Sequence, residues 1–147
     1  MLLREAVERI VILEDSDDDF DTMCEAVRHL DFAVEICRVT DGDACVAFLA
    51  RNTVDLPSLV IMDLNAPCTG GREALRVIKL DPALRRIPVV IMTTSTNPRD
   101  VDLCYLYGAN AYHTKSIRYP DHLRSIESIL RYWLSEVICP SRTVPVT

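Results

Sequence analysis

Three unalternating apolar runs constrain this chain more than any other feature: Ile-Val-Ile-Leu at 10–13, Leu-Val-Ile-Met at 59–62 and Val-Val-Ile-Met at 89–92. A strand with one face in water alternates apolar and polar residues, whereas an unalternating one must be covered on both faces. The architecture that does this places helices on either side of a parallel sheet. Residues 34–39 and 111–114, bounded by polar or turn-forming residues, read as two further strands. Between the strands, apolar residues recur at helical spacing. Phe20, Met23, Cys24, Val27 and Leu30 predict a first helix, and Ala44, Ala47 and Phe48 a second. Ala74, Leu75 and Ile78 predict a third that stops before Asp81-Pro82, and Val101, Cys104 and Tyr105 a fourth that ends at Gly108. The last helix is expected from Pro120 to Cys139, with Pro140 stopping it.

Five such alternations predict a five-stranded parallel sheet with helices on both faces, a flavodoxin-like (βα)5 fold. The 147 residues suit one domain, with a core over about 9–139, a short extension at 1–8 and a tail at 140–147. The last helix carries more apolar surface than docking on a sheet requires, including Ile129, Leu130, Trp133, Leu134, Val137 and Ile138. Part of it is expected to meet a partner chain, and a covering by the N-terminal segment or residues 141–147 is the alternative.

Charge and composition exclude several functions. With 16 basic against 22 acidic residues, a net charge of −6 and no lysine or arginine block, the chain lacks the footprint that phosphate backbones require, so no nucleic-acid partner is expected. No run approaches the roughly 18 apolar residues of a membrane span. The first nine residues have no apolar h-region, which makes the cytoplasm the expected location. The six cysteines, at 24, 37, 45, 68, 104 and 139, form no CxxC pair and read as reduced, mostly buried thiols, with Cys68 and Cys139 in loops or tails that could expose them.

Ligands of such folds sit at the carboxyl ends of the strands, so the residues there carry the function. After the first strand comes Glu14-Asp15-Ser16-Asp17-Asp18-Asp19, where a nucleotide-binding fold would carry a glycine-rich loop. This acidity would repel a flavin phosphate. Ser16 can cap a helix, and Asp17, Asp18 and Asp19 in its first turn complement the dipole. Glu14 and Asp15 are not needed by the cap. Asp63 follows the third strand directly, and if the first and third strands are neighbours the three carboxylates share a crevice. Clustered carboxylates call for a divalent cation, and Mg²⁺ suits a few oxygens plus retained water. Thr93-Thr94-Ser95 follows the fourth strand, and Lys115, three residues after Tyr112, follows the fifth. Hydroxyls and an ammonium beside a carboxylate cluster supply the donors that hold the oxygens of a transferring phosphoryl group.

In these residues the chain resembles the receiver domain of response regulators, from about residue 3 to Cys139. Glu14-Asp15 is similar to the family's Mg²⁺-binding acidic pair, Asp63 to its phosphorylated aspartate, Thr93 to its switch hydroxyl and Lys115 to its lysine. Asn65 falls where the family offers a backbone carbonyl to the metal, and Tyr112 where receivers carry an aromatic that changes rotamer. Most receivers follow the lysine with proline, but here Ser116 follows it. A cis bond before a non-proline residue costs about 3 kcal/mol, so trans is expected. The Lys115-Ser116 junction, the Thr93-Thr94-Ser95 run and the Tyr132-Trp133-Leu134 ending resemble the single-domain regulators associated with phytochrome-type sensor kinases.

That resemblance implies a two-component signalling protein whose Asp63 takes a phosphoryl group from a sensor histidine kinase in the presence of Mg²⁺. It implies a phosphoacceptor rather than an enzyme, with only self-catalysed transfer and hydrolysis, the latter influenced by Asn65 and Ser95. Output would pass through protein partners, including a homodimer built on the last helix. Two rivals remain: a receiver-like module that never takes phosphate, which would be expected to lack Asp63, Lys115 or the acidic pair, and a haloacid-dehalogenase-type phosphatase, which needs a second aspartate where this chain has Asn65.

Overall fold

In a computed structural model that describes residues 7–66 and 70–143, strands and helices alternate five times. The strands are β1 (Glu8–Leu13), β2 (Val34–Val39), β3 (Leu59–Met62), β4 (Val89–Thr93) and β5 (Ala111–Thr114). The helices are α1 (Asp17–Arg28), α2 (Gly42–Arg51), α3 (Gly71–Leu80), α4 (Pro98–Leu106) and α5 (Tyr119–Arg131), the last running into one π-helical turn at Tyr132–Glu136. All strand pairs are parallel, in the order β2-β1-β3-β4-β5. The order reverses between β1 and β3, which opens a crevice at their carboxyl ends, where Leu13 pairs with Met62.

The unalternating strands are buried on both faces, as their composition requires. Ile10, Ile12, Leu59, Ile61, Val90 and Met92 point to one side, against Met23 and Ala26 of α1 and Ile126, Ile129 and Leu130 of α5. Their neighbours Val11, Leu13, Val60, Met62, Val89 and Ile91 point to the other, against α2, α3 and α4. Full burial of each such side chain stabilises the fold by about 1.5–3 kcal/mol, so the sheet is a rigid base for whatever its strand ends carry. The helix starts follow the capping residues. Ser16 accepts from the Asp19 amide at 3.3 Å, Asp41 from that of Ala44 at 2.8 Å, and Asn97 from that of Arg99 ahead of Pro98. Gly108 ends the α4 segment at φ +102°, a backbone region that glycine enters without cost.

Three sequence expectations need correction. The buried face of α2 is Gly42, Cys45 and Leu49, with Ala47 exposed, because Cys45 and Leu49 lie one turn apart and fill the space against the sheet better than alanines. In α4 only Cys104 is buried, and Tyr105 is half exposed. The last helix does not reach Cys139. Its π turn closes with the Val137 amide on the Tyr132 carbonyl at 2.9 Å, and Val137 is already extended. Two pulls end it there: a residue before proline disfavours the helical region, and Arg142 ties the following chain down. Arg142 donates to the carbonyls of Leu56 and Val7 at 2.9 and 2.8 Å and pairs with Asp55. Trp133 and Leu134 therefore pack partly on the α1/α5 core, while Tyr132 and Ile138 are exposed.

Cys45 and Cys104 are buried, while Cys24, Cys37 and Cys139 are half-buried, and all five are free thiols. Burial pushes the Cys45 thiol up to about 12 and the Cys104 thiol up to about 11, which keeps both protonated and unreactive. Cys68 and the outer parts of both terminal segments lie outside the described residues. Among the described residues no helix is long and apolar enough to cross a membrane.

Candidate functional site

Each strand end delivers its side chains to the crevice through hydrogen bonds that continue the sheet. The Glu14 amide donates to the Val39 carbonyl at 3.0 Å, the Asp63 amide to that of Leu13 at 3.0 Å, and the Lys115 amide to that of Thr93 at 2.7 Å. The side chains of Glu14, Asp63, Thr93 and Lys115 are thereby fixed by backbone that is itself part of the sheet, and all four residues are buried.

Lys115 is the centre of the arrangement. Its Nζ donates to Glu14 Oε1 at 2.6 Å, Asp19 Oδ2 at 2.7 Å and Asp63 Oδ2 at 2.8 Å, so each ammonium proton meets a carboxylate. Burial works to lower the Lys115 pKa, but the bonds to Asp19, Asp63 and Glu14 outweigh it and hold the ammonium above its ordinary value. Burial likewise pushes the Glu14 carboxyl above the usual carboxylate range, with the Lys115 contact opposing that rise. The ammonium offsets part of the negative charge that the clustered carboxylates carry.

The residues nevertheless fit a metal. Glu14, Asp15 and Asp63 each offer a carboxylate oxygen within 4.8 Å of the others, and Asp15 is exposed where an ion would enter. Three oxygens of this hardness, with room for water, match what Mg²⁺ or Mn²⁺ takes. Asn65 turns back over the site, its amide donating to Asp63 Oδ1 at 3.0 Å and its side chain to Thr93 Oγ1 at 3.2 Å. The second contact ties the loop after β3 to the end of β4.

From Thr93 a chain of contacts leads outward. The Ser95 hydroxyl donates to Asp100, which also receives Arg72 at 2.7 Å. These two partners, Ser95 first, hold the Asp100 carboxyl below the usual carboxylate range. The Tyr112 hydroxyl donates to the Ser95 carbonyl at 2.8 Å, so the aromatic of β5 is tied to the loop that follows Thr93. Gly71, at the start of α3, explains the glycine pair after the β3 loop. A Cβ there would lie 2.4 Å from the Asp63 carbonyl oxygen, and only hydrogen lets the helix approach so closely.

The structure thus brings Glu14, Asp15, Asp63, Asn65, Thr93 and Lys115 together and places Tyr112 one contact away. Among the described residues no peptide bond is cis, and Lys115-Ser116 is trans as expected. Two participants were missed. Asp19 caps the dipole of α1 as expected but also binds Lys115, and the one hint was an acidic run longer than a cap needs. Arg38, on edge strand β2, donates to the Glu14 carbonyl at 3.0 Å, pairs with Asp17 and lies over the Phe20 ring, pinning the acidic loop. A strand of mixed sequence, Val-Glu-Ile-Cys-Arg-Val, that carries an arginine next to its carboxyl end was its only signal.

A sequence profile of the family described as the response regulator receiver domain matches residues 10–127. Response regulator Rcp1 of Synechocystis sp. is 37% identical over 136 residues, covering 90% of this chain and 92% of that protein. The probable methanogenesis regulatory protein FilR2 of Methanothrix harundinacea is 34% identical over 128 residues, covering 85% and 83%. Among solved structures, the phosphorylated cyanobacterial phytochrome response regulator RcpA superposes with a TM-score of 0.88 at 35% identity, over 92% of this chain and all of that one. The Mn²⁺-bound form of Rcp1 gives 0.86 at 36% identity, over 91% and 99%.

Proposed function

The chain belongs to the response-regulator receiver family, and from that premise we propose that Asp63 is its phosphoacceptor, charged by a sensor histidine kinase of the phytochrome type. The observation that carries the reading is the convergence of Asp63 and Lys115 at 2.8 Å inside an acidic cluster. A carboxylate nucleophile must approach a phosphoryl group that is itself negative, so the protein's work is positioning and charge neutralisation. Asp63 Oδ attacks phosphorus as the bond to the kinase histidine nitrogen breaks, and the electron pair leaves with the imidazole. Lys115 Nζ, already at Asp63, pairs with a phosphoryl oxygen. Asp15, Asp63, Glu14 and the Asn65 carbonyl are the groups that would hold Mg²⁺, which supplies further neutralisation of the phosphoryl oxygens.

Thr93 reads the product. Its hydroxyl, now held by Asn65 at 3.2 Å, exchanges that partner for a phosphoryl oxygen, and Tyr112 responds through the loop it grips at Ser95. Asn65 and Ser95 stand where they influence hydrolysis of the acyl phosphate. The chain acts as a cytoplasmic signalling phosphoacceptor rather than an output enzyme, and it signals through partners, among them a second copy docked near the last helix. The exposed Tyr132 and Ile138 support that surface. The phytochrome pairing rests on the likeness to Rcp1 and RcpA.

Transfer of radiolabelled phosphate tests the proposal. A phytochrome-type kinase labelled on its histidine should pass label to this chain and not to Asp63→Asn, and an unrelated histidine kinase should do so at least tenfold more slowly. Label on the variant would overturn the acceptor assignment. Equal rates from both kinases would overturn the pairing.

A further inference from the structure

The phosphoryl site leaves unused one basic groove, and it stands out on a chain of net charge −6. α3 and α4 cover the same face of the sheet, and two hollows lie along them. The upper, of about 540 Å³, reaches from Asn65 in the loop after Asp63 to Arg72, Arg76, Leu103 and Tyr107. The lower, of about 650 Å³, is lined by Arg76, Lys79, Leu80, Arg85, Leu106 and Tyr107, down to Gly108 and Asn110. Arg76 and Tyr107 belong to both, which joins them into one groove.

Its charge comes from helical spacing. Arg72, Arg76 and Lys79 recur at four and three residues along α3, and Arg85 follows in the next turn, whereas Glu73 is the one acidic residue lining either hollow. Two of these cations are already engaged: Arg72 with Asp100, and Lys79 with the carbonyls of Arg85 and Ile87 and the side chain of Asn110. Arg76, seated over the Tyr107 ring, and Arg85 are exposed and have no acidic partner among the described residues. Between them stand two leucines in water, Leu80 at 71% and Leu106 at 79% exposed. Large apolar side chains grouped on a soluble surface and rimmed by charge mark a binding site more often than chance placement.

We propose that this α3–α4 groove docks an acidic amphipathic segment of a protein partner, with an apolar side chain between Leu80 and Leu106 and carboxylates on Arg76 and Arg85. The chemistry selects that occupant. Guanidinium forks prefer carboxylates held bidentately, and the leucines need an apolar counterpart that a small anion lacks. A polyanion would be repelled by the rest of the surface. A helix or strand presenting leucines with glutamates between them satisfies both halves at once.

The test uses the full chain, ¹⁵N-labelled, and a 12-residue acetylated peptide with leucine at every third or fourth position and glutamate elsewhere. Saturable binding is expected, with amide shifts confined to α3, α4 and the turn at Gly108. Replacing glutamate by lysine in the peptide, or making Arg76→Glu with Arg85→Glu in the protein, should weaken it at least tenfold. Leu80→Ser with Leu106→Ser should do the same with the charge intact. All four positions are exposed, and unchanged unfolding midpoints would confirm that the variants fold. Shifts centred elsewhere, equal binding of the lysine peptide, unaltered affinity in either double variant, or no saturation at millimolar peptide would overturn the proposal.

Discussion

Replacing Lys115 by methionine keeps the side chain's length and removes its charge, leaving Glu14, Asp19 and Asp63 without the cation that now touches all three. Two limits fix the cost. Breaking a buried ion pair from one side costs about 3–5 kcal/mol. The cluster can also escape by taking up a proton, and holding a carboxyl of ordinary pKa, about 4.3, neutral at pH 7 costs about 4 kcal/mol. The second limit caps the first and gives the loss a pH dependence. In the variant, a carboxyl of the cluster has a folded pKa above its unfolded value, so stability falls as pH rises from the unfolded pKa toward the folded one. Wild type and variant should differ by about 4 kcal/mol at pH 7 and by about 1 kcal/mol at pH 5.

Equilibrium urea unfolding in EDTA, followed by the fluorescence of Trp133, measures both gaps. Mg²⁺ should then stabilise the variant more than the wild type at pH 7, because a bound cation takes over the neutralisation; at a hundred times its Kd it contributes about 2.7 kcal/mol. A variant within 1 kcal/mol of wild type at pH 7, or a gap that stays constant down to pH 5, refutes the reasoning.

Other predictions follow from single contacts. Gly71→Ala should cost about 1–3 kcal/mol in urea unfolding and slow phosphoryl uptake, because its Cβ would collide with the Asp63 carbonyl; unchanged stability would show that the helix start yields freely. Arg142→Ala should cost about 1–3 kcal/mol and speed amide exchange at Leu56, since losing the side-chain bonds to the Leu56 and Val7 carbonyls loosens the segment whose residue-142 carbonyl accepts from the Leu56 amide at 3.0 Å. Unchanged exchange would show that the segment after the last helix is not anchored there. Burial holds the Lys79 ammonium down at about 8. Its folded pKa lies below the unfolded value, so wild type should gain stability relative to Lys79→Met as pH rises from about 8 to about 10, by about 1 kcal/mol once the screening of a partly exposed group is counted. Parallel pH profiles for the two proteins would contradict that sign.

The sheet was legible because its strands are written in the plainest code a chain has: an apolar run without alternation is a strand covered on both faces. The strand ends were legible for a related reason, since Glu14, Asp63 and Thr93 each follow such a run directly, whereas Lys115 follows the mixed fifth strand, Ala-Tyr-His-Thr. What escaped depended on contacts between distant segments. The sequence places Asp19 in a first helical turn, where an acid is explained by the dipole alone, and nothing local says that Lys115, 96 residues on, reaches it. The end of the last helix escaped likewise. Its apolar pattern continues to Ile138, but the helix stops at Glu136, because the proline restriction and the Arg142 anchor outweigh a periodic pattern.

The central claim is that Asp63 takes the phosphoryl group. It is tested most directly by incubating the chain with acetyl phosphate and Mg²⁺, reducing the acyl phosphate with borohydride, and mapping peptides by mass spectrometry. The account predicts conversion of residue 63 to homoserine, absent when Mg²⁺ is withheld and absent in Asp63→Asn. Conversion at Asp15 or Asp19 in the wild type, with residue 63 unmodified, would contradict it.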